Sequence, residues 1–228
     1  MKNLVIFSGA GISAESGLKT FRDSDGLWEN FDISEVATPE AWEKNPKLVL
    51  EFYNLRRKQV LEAKPNEAHK CIPKLEKKFN VTVITQNIDD LHERSGSKKI
   101  VHLHGEILKS RSTLTEKVYT IKSSELNLGD LCEKKSQLRP HIVWFGESVP
   151  NMLVASNICE KADILIVIGT SLNVYPAANL IDFVSKKCRI YLIDPKDVLT
   201  DSRNNISFIK DVASNGLPIL VDELLSKK

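Results

Sequence analysis

Gly9-Ala10-Gly11-Ile12-Ser13-Ala14-Glu15-Ser16-Gly17 decides the fold. A short apolar strand, Leu4-Val5-Ile6-Phe7, runs into it, and a helix-prone stretch that opens on small residues follows. Glycine lets the backbone turn tightly there and lets a phosphate approach the main chain with no Cβ in the way. The N–H groups of the following helix N-terminus then face the anion, helped by the helix dipole. Gly9-x-Gly11-x-x-Ala14 satisfies the loose dinucleotide fingerprint. Taken alone, a plain glycine turn between strand and helix explains the same residues.

The next apolar runs decide between those readings. Val81-Thr82-Val83-Ile84-Thr85 reads as a strand and ends in Gln86-Asn87-Ile88-Asp89-Asp90. Ile100 to Leu103 ends in His104-Gly105-Glu106, Asp163 to Ile168 in Gly169-Thr170-Ser171, and Arg189 to Ile193 in Asp194. Helices lie between them. Thr38-Pro39-Glu40 opens one with a capping residue and a proline at its first position. Asn45-Pro46 opens a second, Lys47 through about Glu62, with Leu48, Val49, Phe52, Leu55 and Val60 at helical spacing. Tyr53 and Arg56, three apart, share one of its faces. Asn66 caps a third, Glu67 to Lys78, and further helices are expected near Met152–Lys161, over Pro176–Lys187 and from about Leu217.

Strands alternating with helices imply an α/β fold, a Rossmann-like parallel sheet covered on both faces. The strand ends fall on one edge of such a sheet, so the glycine turn, the Gln86–Asp89 cluster, His104, Gly169-Thr170-Ser171 and Asp194 converge on a nucleotide cleft. Leu18 to Trp28 is polar but carries Phe21, Leu27 and Trp28, which marks a loop that folds over something. Residues 107–139 show no clear period and read as part of a smaller inserted module.

Composition narrows the partners. The 228 residues carry a formal net charge of +2 with 27% charged residues, which gives no global pull toward nucleic acid or a membrane surface. The basic clusters Lys74–Lys78 and Lys186–Arg189 read as solvated helix faces. No apolar run reaches the ~18 residues of a spanning helix, and the N-terminal residues lack a signal peptide's apolar region. Cys71, Cys132, Cys159 and Cys188 are scattered with no C-x-x-C pair, which fits reduced thiols in the cytoplasm.

At these residues the sequence resembles the sirtuin family of NAD-dependent protein lysine deacylases. The matching blocks are Gly9 to Gly17, Thr20-Phe21-Arg22, Thr85 to Asp89, Leu103-His104-Gly105, Arg139-Pro140-His141-Ile142-Val143-Trp144-Phe145-Gly146-Glu147 and Gly169-Thr170-Ser171-Leu172, in the family's order. The resemblance implies an NAD-binding domain of residues 1–28, 79–107 and 139–228 and a small inserted domain of residues 29–78 and 108–138, with acylated lysine side chains of protein substrates bound between them. It implies that Gly9, Ala10, Gly11 and Ser13 hold the pyrophosphate side and that Phe21 and Arg22 sit on a loop over the cofactor. Gln86 is expected at the ribose, with Asn87 and Asp89 ordering the nicotinamide pocket. Gly169, Thr170, Ser171, Asp194 and Ala213 are expected at the adenosine half, although Asp194 stands where an asparagine is common.

By the same resemblance the acyl oxygen attacks the nicotinamide ribose and His104 is the general base on a ribose hydroxyl, a role that suits an imidazole near neutrality. Val143 and Phe145 are expected to flank the lysine tunnel, and residues near Gly146-Glu147 to pair with the substrate peptide as an added strand. Two features depart from the commonest pattern. The family's zinc is usually held by two C-x-x-C pairs; here Ser112-x-x-Thr115 replaces the first, and only Cys132 of the second remains, with Lys135 at its partner position. One thiolate does not make a tetrahedral site, so no zinc is expected. Ala37, Tyr53 and Arg56 match the branch that removes succinyl and malonyl groups, because a guanidinium and a phenol can take a free carboxylate. The resemblance also implies deacetylation, in a protein favoured to be a monomer.

Other uses of such a cleft predict different products. A dehydrogenase needs a strand ending in an acidic residue soon after the first helix, and residues 20–36 contain none. A mono-ADP-ribosyltransferase or NAD hydrolase would share the cleft. A non-catalytic NAD-sensing module would not need His104, Asn87 and Asp89 together.

Overall fold

The computed structural model describes residues 1–19, 27–28, 31–196 and 205–227. Its strands are β1 (Lys2–Ser8), β2 (Leu27–Trp28), β3 (Phe31–Asp32), β4 (Phe79–Thr85), β5 (Ile100–His102), β6 (Gly105–Ser112), β7 (Val118–Thr120), β8 (Leu138–Ile142), β9 (Ile164–Ile168), β10 (Arg189–Ile193) and β11 (Ile206–Ile209). Six of them form one parallel sheet in the order β11-β10-β9-β1-β4-β5. Chain order reverses at β1, which pairs with β4 on one side and β9 on the other. The crevice beyond the carboxyl ends of β1 and β9 is therefore the sheet's switch point, where ligands bind in open α/β folds.

Side-chain alternation explains why these strands are apolar throughout. Leu4 and Ile6 of β1 join Val81, Val83, Ile164, Ile166 and Ile168 on one face. That face is covered by α5 (Glu67–Cys71) and α8 (Ala213–Ser226), through Ala68, Cys71, Leu217, Leu220, Val221 and Leu224. Val5 and Phe7 point the other way, to Ile84, Leu165 and Val167, beneath Ala155 and Cys159 of α7 (Met152–Glu160).

A third core lies under α2 (Ile33–Val36), α3 (Pro39–Lys44) and α4 (Pro46–Glu62), where Val36, Ala41, Val49, Phe52 and Tyr53 pack on Ile107, Ile142 and Trp144. The short helices α1 (Gly11–Ala14) and α6 (Leu91–Arg94) follow β1 and β4. Residues 107–139, which show no period in the sequence, hold most of a second, antiparallel sheet, β7-β6-β8. Its strands are mostly polar, β7 has only three residues, and the β6–β8 register shifts between Gly105 and Ser110, so alternation does not announce them.

Two expected helices come out shorter. Glu67–Lys78 is helical as α5 and then a 3₁₀ segment, Ile72–Lys77, because Pro73 lacks the N–H that would continue the ladder. Of Pro176–Lys187, only Ala177–Asp182 is helical, and it too is 3₁₀. Ala177, Ala178, Leu180 and Ile181 are its buried residues. Strand β11 adds an edge the sequence did not show, and α8 begins at Ala213, ahead of Pro218, which lies inside it.

Candidate active site

The cleft is built where the ends of β1 and β9 interlock. Gly9 N donates to Ile168 O at 3.0 Å and Gly11 N to Gly169 O at 2.8 Å. A Cβ on Gly9 would lie 2.7 Å from Thr170 Cβ, and one on Gly11 would lie 2.6 Å from Gly169 Cα. The space that these two glycines leave is thus filled by the facing loop of the protein itself. Gly169 has φ +64°, the left-handed region that glycine adopts without strain. Beyond that seam Ala10, Gly11, Gly169, Thr170, Ser171, Asp194 and Ala213 line one half of the cleft, and Gly9 lies beneath its floor.

Ala10, Gln86 and Val174 line both halves and join them. Gln86 Oε1 accepts from Thr170 Oγ1 at 3.2 Å, while its buried Nε2 has no hydrogen-bond partner. That leaves a donor at the seam which a ligand oxygen would satisfy. Asn87 and Asp89 follow, both buried, in one network: Asn87 Nδ2 donates to Ser13 Oγ (3.1 Å) and Ser13 Oγ donates to Asp89 Oδ2 (3.0 Å). Leu91 N donates to Asp89 Oδ1 at 3.1 Å.

His104 stands opposite this turn. Its Nδ1 donates to Gln86 O at 3.0 Å, which fixes the tautomer and leaves the basic lone pair on Nε2. Val143 N reaches back to His104 O at 3.0 Å, and Phe145 N donates to Ala37 O at 3.0 Å, so Val143 and Phe145 are hung between the two modules along the cleft wall. Gly146 and Glu147 complete that wall. The Glu147 carboxylate is held by Arg139 (2.9 and 3.0 Å), Arg111 (3.0 Å) and Trp144 N (2.8 Å). What this residue offers a ligand is therefore its backbone.

Helix α4 supplies the far end. Tyr53 and Arg56 line the cleft with Ala37, and the Tyr53 hydroxyl accepts the Trp144 indole N–H at 3.1 Å. Arg56 Nη1 donates to Gln59 Oε1 at 3.0 Å.

Comparisons with known proteins bear on this constellation. The Sir2 family pattern matches residues 9–176. An NAD-dependent protein deacylase of Helicobacter pylori is 54% identical over 225 residues, covering 99% of this chain and 98% of that protein. One from Bacteroides thetaiotaomicron is 51% identical over 231 residues, covering 99% of each. The chain belongs to the Sir2 family. Among solved structures, a Sir2 homolog–NAD complex superposes with a TM-score of 0.89 at 38% identity, over 98% of this chain and 90% of that one. A Sir2Tm structure bound to a propionylated peptide gives 0.81 at 30% identity, over 99% and 94%.

In this Sir2-family cleft burial sets the charges. It depresses His104 below the ordinary imidazole value, although the Gln86 carbonyl pulls the other way. It pushes the Asp89 carboxyl up, against the Leu91 N–H and the Ser13 hydroxyl. It pushes the Tyr53 phenol up as well, keeping it a neutral donor. The expected residues Phe21 and Arg22 lie outside the described residues. Every other expected residue falls on the cleft or directly beneath it.

Sequence reasoning missed three contributors. Trp144 was read only within the matching block Arg139 to Glu147, with no role of its own, and its bond to Tyr53 is a long-range contact. Asn66 does cap α5, but its Nδ2 also clamps Ile12 O at 2.8 Å and Ser16 Oγ at 3.0 Å, tying α5 to the glycine turn. His102 touches the Asn87 carbonyl; its spacing of two from His104 was the available signal.

Proposed function

We infer that this chain is an NAD-dependent protein lysine deacylase that removes succinyl and malonyl groups as well as acetyl. The observation that carries the reading is one cleft holding His104, tautomer-fixed with Nε2 free to accept a proton, together with a cation–phenol pair at its far end.

When bound, NAD supplies an electrophilic ribose carbon with nicotinamide as leaving group and a ribose hydroxyl that receives the acyl group. The orphaned Gln86 Nε2 and the loop of Ala10, Gly11 and Ser13 fit its ribose and pyrophosphate. Asp194 and Ala213, with Gly169, Thr170 and Ser171, fit the adenosine half. Ser13, Asn87 and Asp89 form a rigid polar wall for the nicotinamide end. His104 Nε2 takes the proton of a ribose hydroxyl, and its depressed pKa keeps it unprotonated at neutral pH. Val143 and Phe145 flank the acyl-lysine chain, and the backbone of Gly146 and Glu147 pairs with the substrate peptide. Arg56 and Tyr53 bind the distal carboxylate of an acidic acyl group by charge-assisted hydrogen bonds, with Ala37 leaving the room.

The small module does not fit a zinc ion. Ser112 Oγ donates to Cys132 Sγ at 3.4 Å and accepts from Leu114 N (3.2 Å) and Thr115 N (3.1 Å), so a hydroxyl organises the turn that a metal-bound thiolate would. Among the described residues no three His, Cys, Asp or Glu side chains gather as a metal site.

Mass spectrometry of products from NAD and acetyl-, malonyl- and succinyl-lysine peptides tests the reading. Nicotinamide and O-acyl-ADP-ribose are expected with all three peptides. ADP-ribose left on protein, or free ADP-ribose formed without peptide, would identify a transferase or a hydrolase instead.

A further inference from the structure

The turn from Thr85 to Ile88 has each carbonyl held by the segment that leaves β5. Leu103 N donates to Thr85 O at 2.9 Å and Ile107 N to Ile88 O at 2.8 Å. Between them, where the two chains diverge, imidazoles take over: His104 Nδ1 meets Gln86 O and His102 Nδ1 meets Asn87 O, each at 3.0 Å. Parallel register places His102 beside Thr85, and Asn151 Nδ2 pins its carbonyl at 2.8 Å.

The two histidines differ at their second nitrogen. That of His104 is left to the cleft. His102 Nε2 meets Glu93 Oε1 of α6 at 2.7 Å, with the His102 side chain 9% exposed. A carbonyl faces one nitrogen and a carboxylate the other, and neither acceptor carries a proton to give. A neutral imidazole has one N–H and satisfies only one of them. Both bonds therefore need the imidazolium.

We propose that His102, as an imidazolium between Asn87 O and Glu93, is a positioning residue that fixes the nicotinamide-side turn, and that its loss of a proton sets the alkaline limit of the reaction. The proposal rests on the deacylase reading of the cleft.

The surroundings agree. Burial alone would depress His102, but the Glu93 hydrogen bond and charge, the Asn87 carbonyl and Glu106 outweigh it, and its pKa stands above the ordinary value. The groups facing it are Glu93 and His92 of α6, Asp89 of the turn, and Glu106 of β6, itself paired to Lys109 at 2.6 Å. The positive ring also favours ionised Asp89. The sign follows: the clamp is intact below the raised pKa and is lost as pH rises through it, because one bond must then break.

Amide substitutions separate the two bonds, since an asparagine nitrogen mimics Nδ1 and a glutamine nitrogen mimics Nε2. His102→Asn keeps a donor for Asn87 O without a titrating ring, so the alkaline limb of kcat/KM for NAD should disappear. His102→Gln strands that carbonyl and should lose roughly ten-fold more activity than His102→Asn. Glu93→Gln, a milder change, should move the alkaline limb to lower pH. Ring ¹⁵N shifts of the unmodified protein should show His102 doubly protonated at pH 7 and His104 neutral. A neutral His102 at pH 7, or an alkaline limb unmoved in both His102→Asn and Glu93→Gln, overturns the proposal. The ring shifts need no turnover, so they decide it even if the deacylase reading fails its own peptide assay.

Discussion

Trp144 donates its indole N–H to the Tyr53 hydroxyl at 3.1 Å, and both side chains are buried. The Arg139 guanidinium lies 3.5 Å over the Trp144 ring and is itself bound twice by Glu147. The phenol on α4 is thus aimed by a chain of contacts running from the β8 strand and the turn after it. An accepted N–H leaves the Tyr53 O–H proton for a ligand.

Tyr53→Phe should therefore cut desuccinylation more than deacetylation. A lost hydrogen bond to a charged group is worth about 1.5–3 kcal/mol, or roughly a 10–100-fold fall in kcat/KM. Parallel kinetics on succinyl- and acetyl-lysine peptides measure it, and an equal fall in both would place Tyr53 outside the carboxylate site.

Arg56→Met should abolish desuccinylation and demalonylation while sparing deacetylation, because the cation is lost but much of the side-chain volume stays. Comparing the three acyl peptides at one NAD concentration reads this directly. Loss of all three activities together would contradict the carboxylate-clamp reading.

The acid limb of activity should belong to His104. Its pKa is depressed by burial, so the base remains unprotonated down to pH values below the ordinary imidazole range. Activity should hold as pH falls through 6.5 and decline only below it. His104→Ala should remove deacylation; a preserved rate would support a site without this base.

Arg57 is wholly buried, and burial lowers its pKa to about 10. It donates to Ile107 O (2.8 Å), Asn54 Oδ1 (2.6 Å) and Ser124 O (3.2 Å), lacing α4 to β6 and to the loop beyond β7. Arg57→Met strands the Ile107 and Ser124 carbonyls at about 1–3 kcal/mol each, while Asn54 Oδ1 keeps the Leu126 N–H at 2.9 Å. A destabilisation of about 3 kcal/mol should lower Tm by roughly 6–12 °C in a domain of this size, measured by calorimetry.

Purified protein should contain well under one equivalent of zinc, and chelator should leave Tm unchanged. In place of a metal the small module has the Ser112–Cys132 contact, the Lys117–Glu133 pair at 2.7 Å and the Tyr119–Glu133 hydrogen bond. Tightly held stoichiometric zinc in elemental analysis would refute the assignment.

How much was legible follows from what kind of signal each part carries. The strands β1, β4, β9 and β10 are apolar on both faces because both faces are covered, and that is a local pattern. Their polar ends announced the cleft, and His104, Asn87 and Asp89 were found there. Strands β7 and β11 were silent because short, half-exposed strands carry little periodicity, and β6 because its register with β8 shifts between Gly105 and Ser110. Gly9 and Gly11 were legible as a glycine turn, yet what they make room for is the Gly169 backbone and the Thr170 Cβ, a partner some 160 residues away in the chain.

The amino-acid sequence by itself determined the order of the main parallel strands and of the helices between them, the edge on which the polar residues gather and the family, since each is written in contiguous residues. Tertiary structure alone decided which nitrogen of His104 is free, what aims Tyr53 and why His102 needs two protons. Those properties depend on which acceptor or donor stands within hydrogen-bond distance of a given atom, and long-range packing, not local pattern, puts it there.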